Sequence, residues 1–372
     1  MPEPLYHIVH TESSGGWGGQ EIRILNEARE FIQRGHQVTL VVANNSPIAA
    51  RAKEYHINTI ELPIGKKTLK GLLAMRRWLA NNDFDVINTH SSSDSWMVAL
   101  GLRLAGKKNP LVRTRHVSAP VSNNWSTRWL YHKASNHIVT TGIKLRDTLI
   151  NDNGLPPHQV TSVPTGIDCT VFTPNEDKTS VRQSLNLPTQ GYIIGIVATL
   201  RSWKGHAYLI DAFHALNRQD THLLIVGDGP QWDNINEQIK QLELEERVTL
   251  CGNQHNVVPW LQSMDIFILP SYANEGVPQG LMQAMACGLP VISTTAGSIT
   301  ELVGEQHGLT ISQKSSDDIK SALDTLLTDE QLRKNFEQAG KAHVIENFSI
   351  SGMTEKMHHI FKGAIEASNE NE

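Results

Sequence analysis

Short runs rich in Val, Ile and Leu alternate with segments of helical period along both halves of this 372-residue chain. A strand covered by helices on both faces reads as a nearly continuous apolar run, so the alternation predicts parallel sheets wound on each side by helices. In the first half the runs fall at Tyr6–His10, Val38–Val42, Asn58–Leu62, Val86–Asn88, Leu111–Arg115, His137–Thr140 and Gln159–Val163. In the second they fall at Tyr192–Val197, His222–Val226, Val248–Cys251, Ile266–Leu269 and Pro290–Ser293. A single hydrophobic core stops growing short of this length, so two domains are expected. The boundaries read as a first domain over 1–167, a linker over 168–190 and a second domain over 191–349. The linker reading rests on Pro174, Pro188 and the polar run from Asn175 to Ser180. Helical patterns at 315–346 and 350–368 lack partner strands, and the terminal segment 350–372 is expected to pack back on the first domain. The fold class is therefore α/β, with two Rossmann-like doubly wound domains. Ligands of such sheets bind outside the carboxyl ends of the strands, so two domains facing across a cleft place function in the loops that follow strands.

The rest of the chain narrows the class. No apolar run reaches the roughly 18 residues of a membrane span. Met1-Pro2-Glu3-Pro4 lacks the basic and apolar regions of a signal peptide, which predicts a cytoplasmic protein. Cys169, Cys251 and Cys287 are odd in number and have no metal-ligand spacing, against both a disulfide framework and a zinc site. Residues 1–170 hold 19 Lys and Arg against 13 Asp and Glu, whereas residues 171–372 hold 14 against 25. A basic half suits an anionic surface or acceptor, although unevenly solvated charge explains the count as well. Nucleic acid is not an expected partner.

Three strand-following loops carry the chemistry. The first, Ser13-Ser14-Gly15-Gly16-Trp17-Gly18-Gly19-Gln20, runs directly into a helical segment. Four glycines let a ligand approach the backbone, and the helix amino terminus offers unpaired N–H groups to phosphate. Neither a Walker motif nor a dinucleotide fingerprint is present at the required spacing. In the second half, Ala198-Thr199-Leu200-Arg201-Ser202-Trp203-Lys204-Gly205-His206 supplies a planar cation and a point cation suited to a diphosphate. Pro270-Ser271-Tyr272-Ala273-Asn274-Glu275-Gly276-Val277-Pro278-Gln279-Gly280 then sets the Glu275 carboxylate at the same sheet edge, with helix-start amides behind it.

These pieces, in this order, resemble the retaining GT-B glycosyltransferases of family 4, the group 1 transferases. The likeness spans nearly the whole chain. It includes the glycine-rich loop, Arg34-Gly35-His36-Gln37-Val38, Pro164-Thr165-Gly166-Ile167-Asp168, Lys204-Gly205, Gly227-Asp228-Gly229-Pro230, and the stretch from Glu275 to Ala284-Met285-Ala286-Cys287-Gly288-Leu289-Pro290. The resemblance implies donor binding by the second domain, acceptor binding by the first, and neither metal nor other cofactor. Lys204 matches the family's phosphate-binding lysine, Glu275 the first glutamate of its Glu-x7-Glu motif, and His116 the histidine lying against the donor sugar. On these grounds Glu275, His116 and Lys204 are the candidates for catalysis. The donor site would further take in Gly18, Gly19, Thr199, Arg201, Gly229, Gly252, Asn253, Gly276, Val277, Pro278 and Gln283, while Trp17 and Asp94 are candidates toward the acceptor.

Two positions depart from the pattern. Thr199 stands where the family usually has an arginine, with Arg201 the nearest substitute, and Gln283 stands where the second glutamate would be. An amide oxygen still accepts hydrogen bonds, so Gln283 suits ribose hydroxyls. The expected function is transfer of a sugar from a nucleotide-sugar donor to a saccharide or lipid-linked acceptor, with retention, in bacterial surface-polysaccharide or lipopolysaccharide assembly. A sugar-nucleotide epimerase on the same fold and a non-catalytic donor-binding subunit are the alternatives.

Other features rank lower. Asp83-Phe84-Asp85 has the Asp-x-Asp pattern of metal-holding transferases but precedes a buried strand, and adjacent His358-His359 face different ways on a helix. Asp94 reads equally as a helix cap. The basic segment Lys66–Leu79 reads as a core-packed surface helix, with a peripheral contact at the inner face of the cytoplasmic membrane as its other use.

Overall fold

The computed structural model describes residues 4–116, 121–273 and 275–370. The chain forms two compact units, one running up to Gly166 and resuming at Ile350, the other comprising Ile167–Ser349.

The first unit holds a parallel sheet of seven strands: β1 (His7–Glu12), β2 (Gln37–Ala43), β3 (Asn58–Leu62), β4 (Val86–Thr89), β5 (Leu111–Arg115), β6 (His137–Thr140) and β7 (Val160–Ser162). Their spatial order is β3-β2-β1-β4-β5-β6-β7, so the winding direction reverses between β1 and β4. Alternate residues feed two cores. Ile8, Leu40 and Val42 pack with the helix Gly19–Gln33 and the terminal helix Ile350–Asn369. Val9, Val41 and Ile87 pack with the helices Leu69–Ala80 and Ser92–Ala105 on the opposite face. The terminal helix is fastened through Met353, Met357 and Phe361, all buried, and Phe31 meets Phe361 with ring centroids 5.6 Å apart.

The second unit holds β8 (Tyr192–Val197), β9 (Thr221–Val226), β10 (Val248–Leu250), β11 (Ile266–Leu269), β12 (Val291–Thr294) and β13 (Leu309–Ile311) in the order β10-β9-β8-β11-β12-β13, again parallel. Its reversal lies between β8 and β11. One apolar core runs through it from Ile167 to Phe348.

Three details differ from the sequence reading. β13 was not foreseen, because three residues at a sheet edge carry no periodicity. The helical pattern 315–346 is two helices, Ser316–Thr328 and Glu330–Asn347, with the Asp329 side chain capping the second at the Leu332 N–H. The stretch 168–190, expected as a linker, falls inside the second unit and carries the helix Lys178–Ser184. Its Arg182 is buried, donating to the Ser263 carbonyl at 2.9 Å and to Asp265 at 2.5 Å.

Candidate functional site

In the first unit the reversal gathers a dense set of polar side chains at the carboxyl edge of β1, β4 and β5. The glycine-rich loop leaves β1 there and enters the helix at Gly19, with Gly18 as its extended amino-terminal cap. Gly15 has neither a positive φ nor any atom within 4 Å of where a Cβ would stand. The local fold does not require glycine at that position, and the backbone is left open to approach. Trp17 is 43% exposed and carries the Arg51 guanidinium 5.2 Å from its ring centre.

Asp94 is fully buried and is the N3 member of the capping box that opens the helix Ser92–Ala105, whose N-cap is Ser91. It accepts from the Thr11 hydroxyl at 2.7 Å and from the His90 and Ser91 backbone N–H groups at 3.0 Å each. The geometry displays the capping alternative, with the carboxylate buried among these donors.

Glu12, at the end of β1, is a further candidate that the sequence did not single out. Its carboxylate accepts from the Ser14 N–H at 2.6 Å and also from the Ser91 hydroxyl and Gln20 amide, tying the glycine-rich loop to the loop after β4. Burial, followed by the nearby Asp94 charge, raises its pKa to about 7.

His116 follows β5 and joins a file of histidines. Its Nε2 lies 2.9 Å from His90 Nδ1, and His90 Nε2 lies 3.0 Å from His10 Nδ1. Burial holds all three rings neutral, with His10 lowered to about 3 and the other two well below their ordinary value. His10 and His90 were also not singled out. Their signal was position alone, since His10 lies in the carboxyl-terminal half of β1 and His90 directly follows β4, the two strands at the reversal.

In the second unit the loops after β8 and β11 meet at the reversal. Lys204 Nζ lies 2.6 Å from Glu275 Oε1, with the two side chains 17% and 5% exposed. Backbone packing enforces the meeting. The Tyr272 N–H donates to the Trp203 carbonyl at 2.8 Å, and Gly205, at φ +80°, lies so close to the Pro270 carbonyl that any Cβ would collide with it. Gly297, at φ +60°, similarly backs the Glu275 carbonyl from the loop after β12. Arg201 is exposed, with its guanidinium 5.6 Å from the Trp203 ring centre, and Thr199 is exposed beside it.

The remaining candidates line the same edge. At Gly229, φ +158° and the Leu200 carbonyl 2.7 Å from a would-be Cβ give glycine a structural reason of its own. The Gly252 carbonyl accepts from the Gly227 N–H at 2.9 Å, and Asn253 beyond it is exposed. Gly276 and the buried Val277 lead into Pro278, the cap of the helix Gln279–Ala286, on which Gln283 is half-buried. Asn274 lies outside the described residues.

Asp83 and Asp85 sit at the opposite, amino-terminal end of β4, where Lys107 Nζ reaches Asp83 at 2.9 Å and Asp85 accepts from the His7 N–H at 2.6 Å. Among the described residues no group of three or more His, Cys, Asp or Glu is arranged to hold a metal ion. His358 is buried against Tyr6 and His36, while exposed His359 turns to Glu355.

Comparison with known proteins covers both units. Residues 17–171 match the family described as Glycosyltransferase Family 4, and residues 177–343 match Glycosyl transferases group 1. A D-inositol 3-phosphate glycosyltransferase of Stackebrandtia nassauensis is 27% identical over 360 residues, covering 85% of this chain and 80% of that protein. The UDP-Gal:alpha-D-GlcNAc-diphosphoundecaprenol alpha-1,3-galactosyltransferase of Escherichia coli is 23% identical over 310 residues, covering 79% of each. Among solved structures, Anabaena HepE in complex with UDP superposes with a TM-score of 0.84 at 20% identity, over 96% of this chain and 100% of that one. With both units matched in chain order, this protein belongs to the group 1, family 4 glycosyltransferases and is a GT-B glycosyltransferase built from two Rossmann-like α/β units.

Proposed function

We propose that the protein transfers a sugar with retention from a nucleotide-sugar donor to a saccharide or lipid-linked acceptor in bacterial surface-polysaccharide or lipopolysaccharide assembly, without a metal. The observation that carries this reading is the Lys204–Glu275 contact, a cation and a carboxylate held 2.6 Å apart at the reversal of the second sheet. Breaking the bond between the anomeric carbon and the phosphate oxygen leaves negative charge on the diphosphate and positive charge on the sugar. Lys204, assisted by Arg201 and the amides leading into the helix Gln279–Ala286, stabilises the first, and Glu275 the second. The acceptor oxygen bonds to the anomeric carbon on the face the diphosphate leaves, and its proton passes to a departing phosphate oxygen. His116 lies against the donor sugar, and Gln283 accepts from the ribose hydroxyls.

A uridine nucleotide is the first donor to test, because HepE was solved with UDP. A lipid-linked acceptor has its own support in the first unit. Leu69 and Leu73, one helical turn apart, are 71% and 52% exposed, and Lys66, Lys67 and Lys70 surround them. Lys67 Nζ lies 5.7 Å from the centre of Trp96, which stacks on Trp129; Trp125, one turn earlier on that helix, is 84% exposed. Apolar and indole side chains ringed by lysines suit an anionic membrane surface.

The test is incubation of purified protein with UDP-, GDP- and ADP-sugars, with and without acceptor, before and after exhaustive chelation. Nucleotide release that needs acceptor and survives chelation is expected. Sugar interconversion without release would make the protein an epimerase, and binding without either reaction would make it a donor-binding subunit.

A further inference from the structure

The histidine file in the first unit continues past His10 into the core. His10 Nε2 faces Glu27 Oε1 at 4.0 Å, and Glu27 Oε2 faces Arg23 Nε at 3.5 Å. All three side chains are completely buried. Arg23 donates to the Val163 carbonyl at 2.6 Å, and the Phe361 and His10 rings meet at a steep angle with centroids 6.3 Å apart. A carboxylate and a guanidinium are costly residents of a core that Ile24, Leu25 and Phe31 otherwise fill, since apolar residues of similar volume are usually at least as stabilising. Stability is therefore a weak account of the group, which is continuous through His10 and His90 with His116.

A neutral imidazole carries one N–H and one bare nitrogen. Each nitrogen-to-nitrogen contact in the file needs one donor and one acceptor, so three neutral rings in series have only two consistent arrangements. In the first, His116 Nε2–H donates to His90, His90 Nε2–H donates to His10, and His10 Nε2–H points at Glu27. His116 Nδ1 is then a bare acceptor. In the second, every proton sits on Nδ1, the His10 Nε2 lone pair points at Glu27, and His116 Nδ1 becomes a donor. An ionised Glu27 favours the first arrangement, and a neutral hydrogen-bond donor at position 27 favours the second.

We propose that Glu27, His10 and His90 are positioning residues that set which nitrogen of His116 carries its proton, and so decide whether that imidazole accepts from or donates to a sugar hydroxyl. The sugar-facing half of this statement rests on the proposed transferase role of His116; the tautomer coupling rests on the file alone. Burial lifts Glu27 to about 7 despite Arg23 at its side, so its charge is held near balance. The strands explain how such a file forms, because β1, β4 and β5 are consecutive neighbours, with His10 in the carboxyl-terminal half of β1 and His90 and His116 directly after β4 and β5.

The experiment uses full-length protein labelled with ¹⁵N-histidine, whose multiple-bond proton–nitrogen spectra separate the two tautomers. Signals are assigned through His10→Gln, His90→Phe and His116→Gln. At pH 8.5, above the value at which Glu27 ionises, wild-type protein is expected to show His10, His90 and His116 all protonated on Nε2. Glu27→Gln turns its amide oxygen to Arg23 and its NH₂ to His10, and is expected to move all three protons to Nδ1. Mixed tautomers in the wild type, or a His116 pattern indifferent to position 27, would overturn the proposal. Should Glu27→Gln fail to fold, His90→Phe supplies a second cut, after which His116 is expected to lose its preference; an unchanged preference overturns the proposal. With an active donor in hand, His90→Phe is expected to lower kcat about tenfold, the scale of lost outer-shell support, with donor KM within about twofold. In a His116→Ala background the same change is expected to cost nothing further, because its effect runs through His116. The spectra stand if no donor turns over, so failure of the transferase reading is distinguishable from failure of the file.

Discussion

Lys204 and Glu275, 71 residues apart in sequence, form a buried ion pair at 2.6 Å where the second sheet reverses direction. Free protein thus holds its two charged candidates against each other, and in the proposed transfer a donor separates them, drawing the ammonium to its diphosphate and leaving the carboxylate to the sugar.

That arrangement predicts opposite effects of Glu275→Gln on two measurements. Turnover should fall on the order of a hundredfold, near 3 kcal/mol, the scale of removing a preorganised electrostatic group. Calorimetric affinity for free UDP should rise, because Lys204 no longer leaves an ion pair to bind it. Weaker UDP binding with undiminished turnover would move Glu275 to the nucleotide end of the site.

Arg201 is expected to swing from Trp203 to the diphosphate and supply what Thr199 lacks. Arg201→Ala should weaken UDP binding by about 1.5–3 kcal/mol, the worth of a charge-assisted hydrogen bond. Titration giving the same affinity as wild type would show that the guanidinium stays on the indole and that Lys204 acts with backbone amides alone.

Leu69, Leu73 and Trp125 are expected to reach into a lipid surface. Flotation with vesicles containing anionic lipid should recover the wild-type protein, with binding that weakens as salt rises. Leu69→Ser combined with Leu73→Ser should lower the vesicle partition coefficient by about a hundredfold or more, since each exposed leucine contributes about 1.5–3 kcal/mol when buried. Equal recovery by neutral and anionic vesicles would remove the lysines from the account.

Acidification tests the buried polar groups. Burial lowers His10 and His206 to about 3 and His137 and His222 to about 4, with His90 and His116 also well down. Each of these sites binds its proton more readily when unfolded, so its stabilisation is full above pH 6.5 and is lost as pH falls toward the shifted value. Glu12 and Glu27, raised to about 7, and Asp94, raised to about 6, act in the opposite sense. Their contribution is lost as pH rises through those values and is regained in full below their unfolded values near 4 to 4.5. The melting temperature should therefore decline gently between pH 6.5 and 4.5 and steeply below, where the carboxylates no longer compensate. A melting temperature that stays level down to pH 4 would show that these histidines are reached by water.

The strands themselves were legible in the sequence because β8, β9, β11 and their first-unit counterparts are covered on both faces, which writes them as unbroken runs such as His222-Leu223-Leu224-Ile225-Val226. Lys204 and Glu275 were legible for a related reason. Each lies in a loop between a strand and a helix, and parallel winding sends such loops to one sheet edge. The pairing itself was not written there. It depends on how closely Gly205 approaches Pro270 and Gly297 approaches Glu275, which are backbone distances between segments far apart in the chain. Glu12, His10 and His90 were hidden for the same reason. A carboxylate or an imidazole at a strand end reads as an ordinary polar boundary until its neighbours are known. Strand order supplied those neighbours, setting β4 between β1 and β5 and so bringing residues 10, 90 and 116 into one file. Local sequence fixed which segments are strands and which loops are polar, because those properties depend on side chains a few positions apart. Only tertiary structure decided which polar groups share a proton or a charge, because that depends on separations of a few ångströms between residues dozens of positions apart.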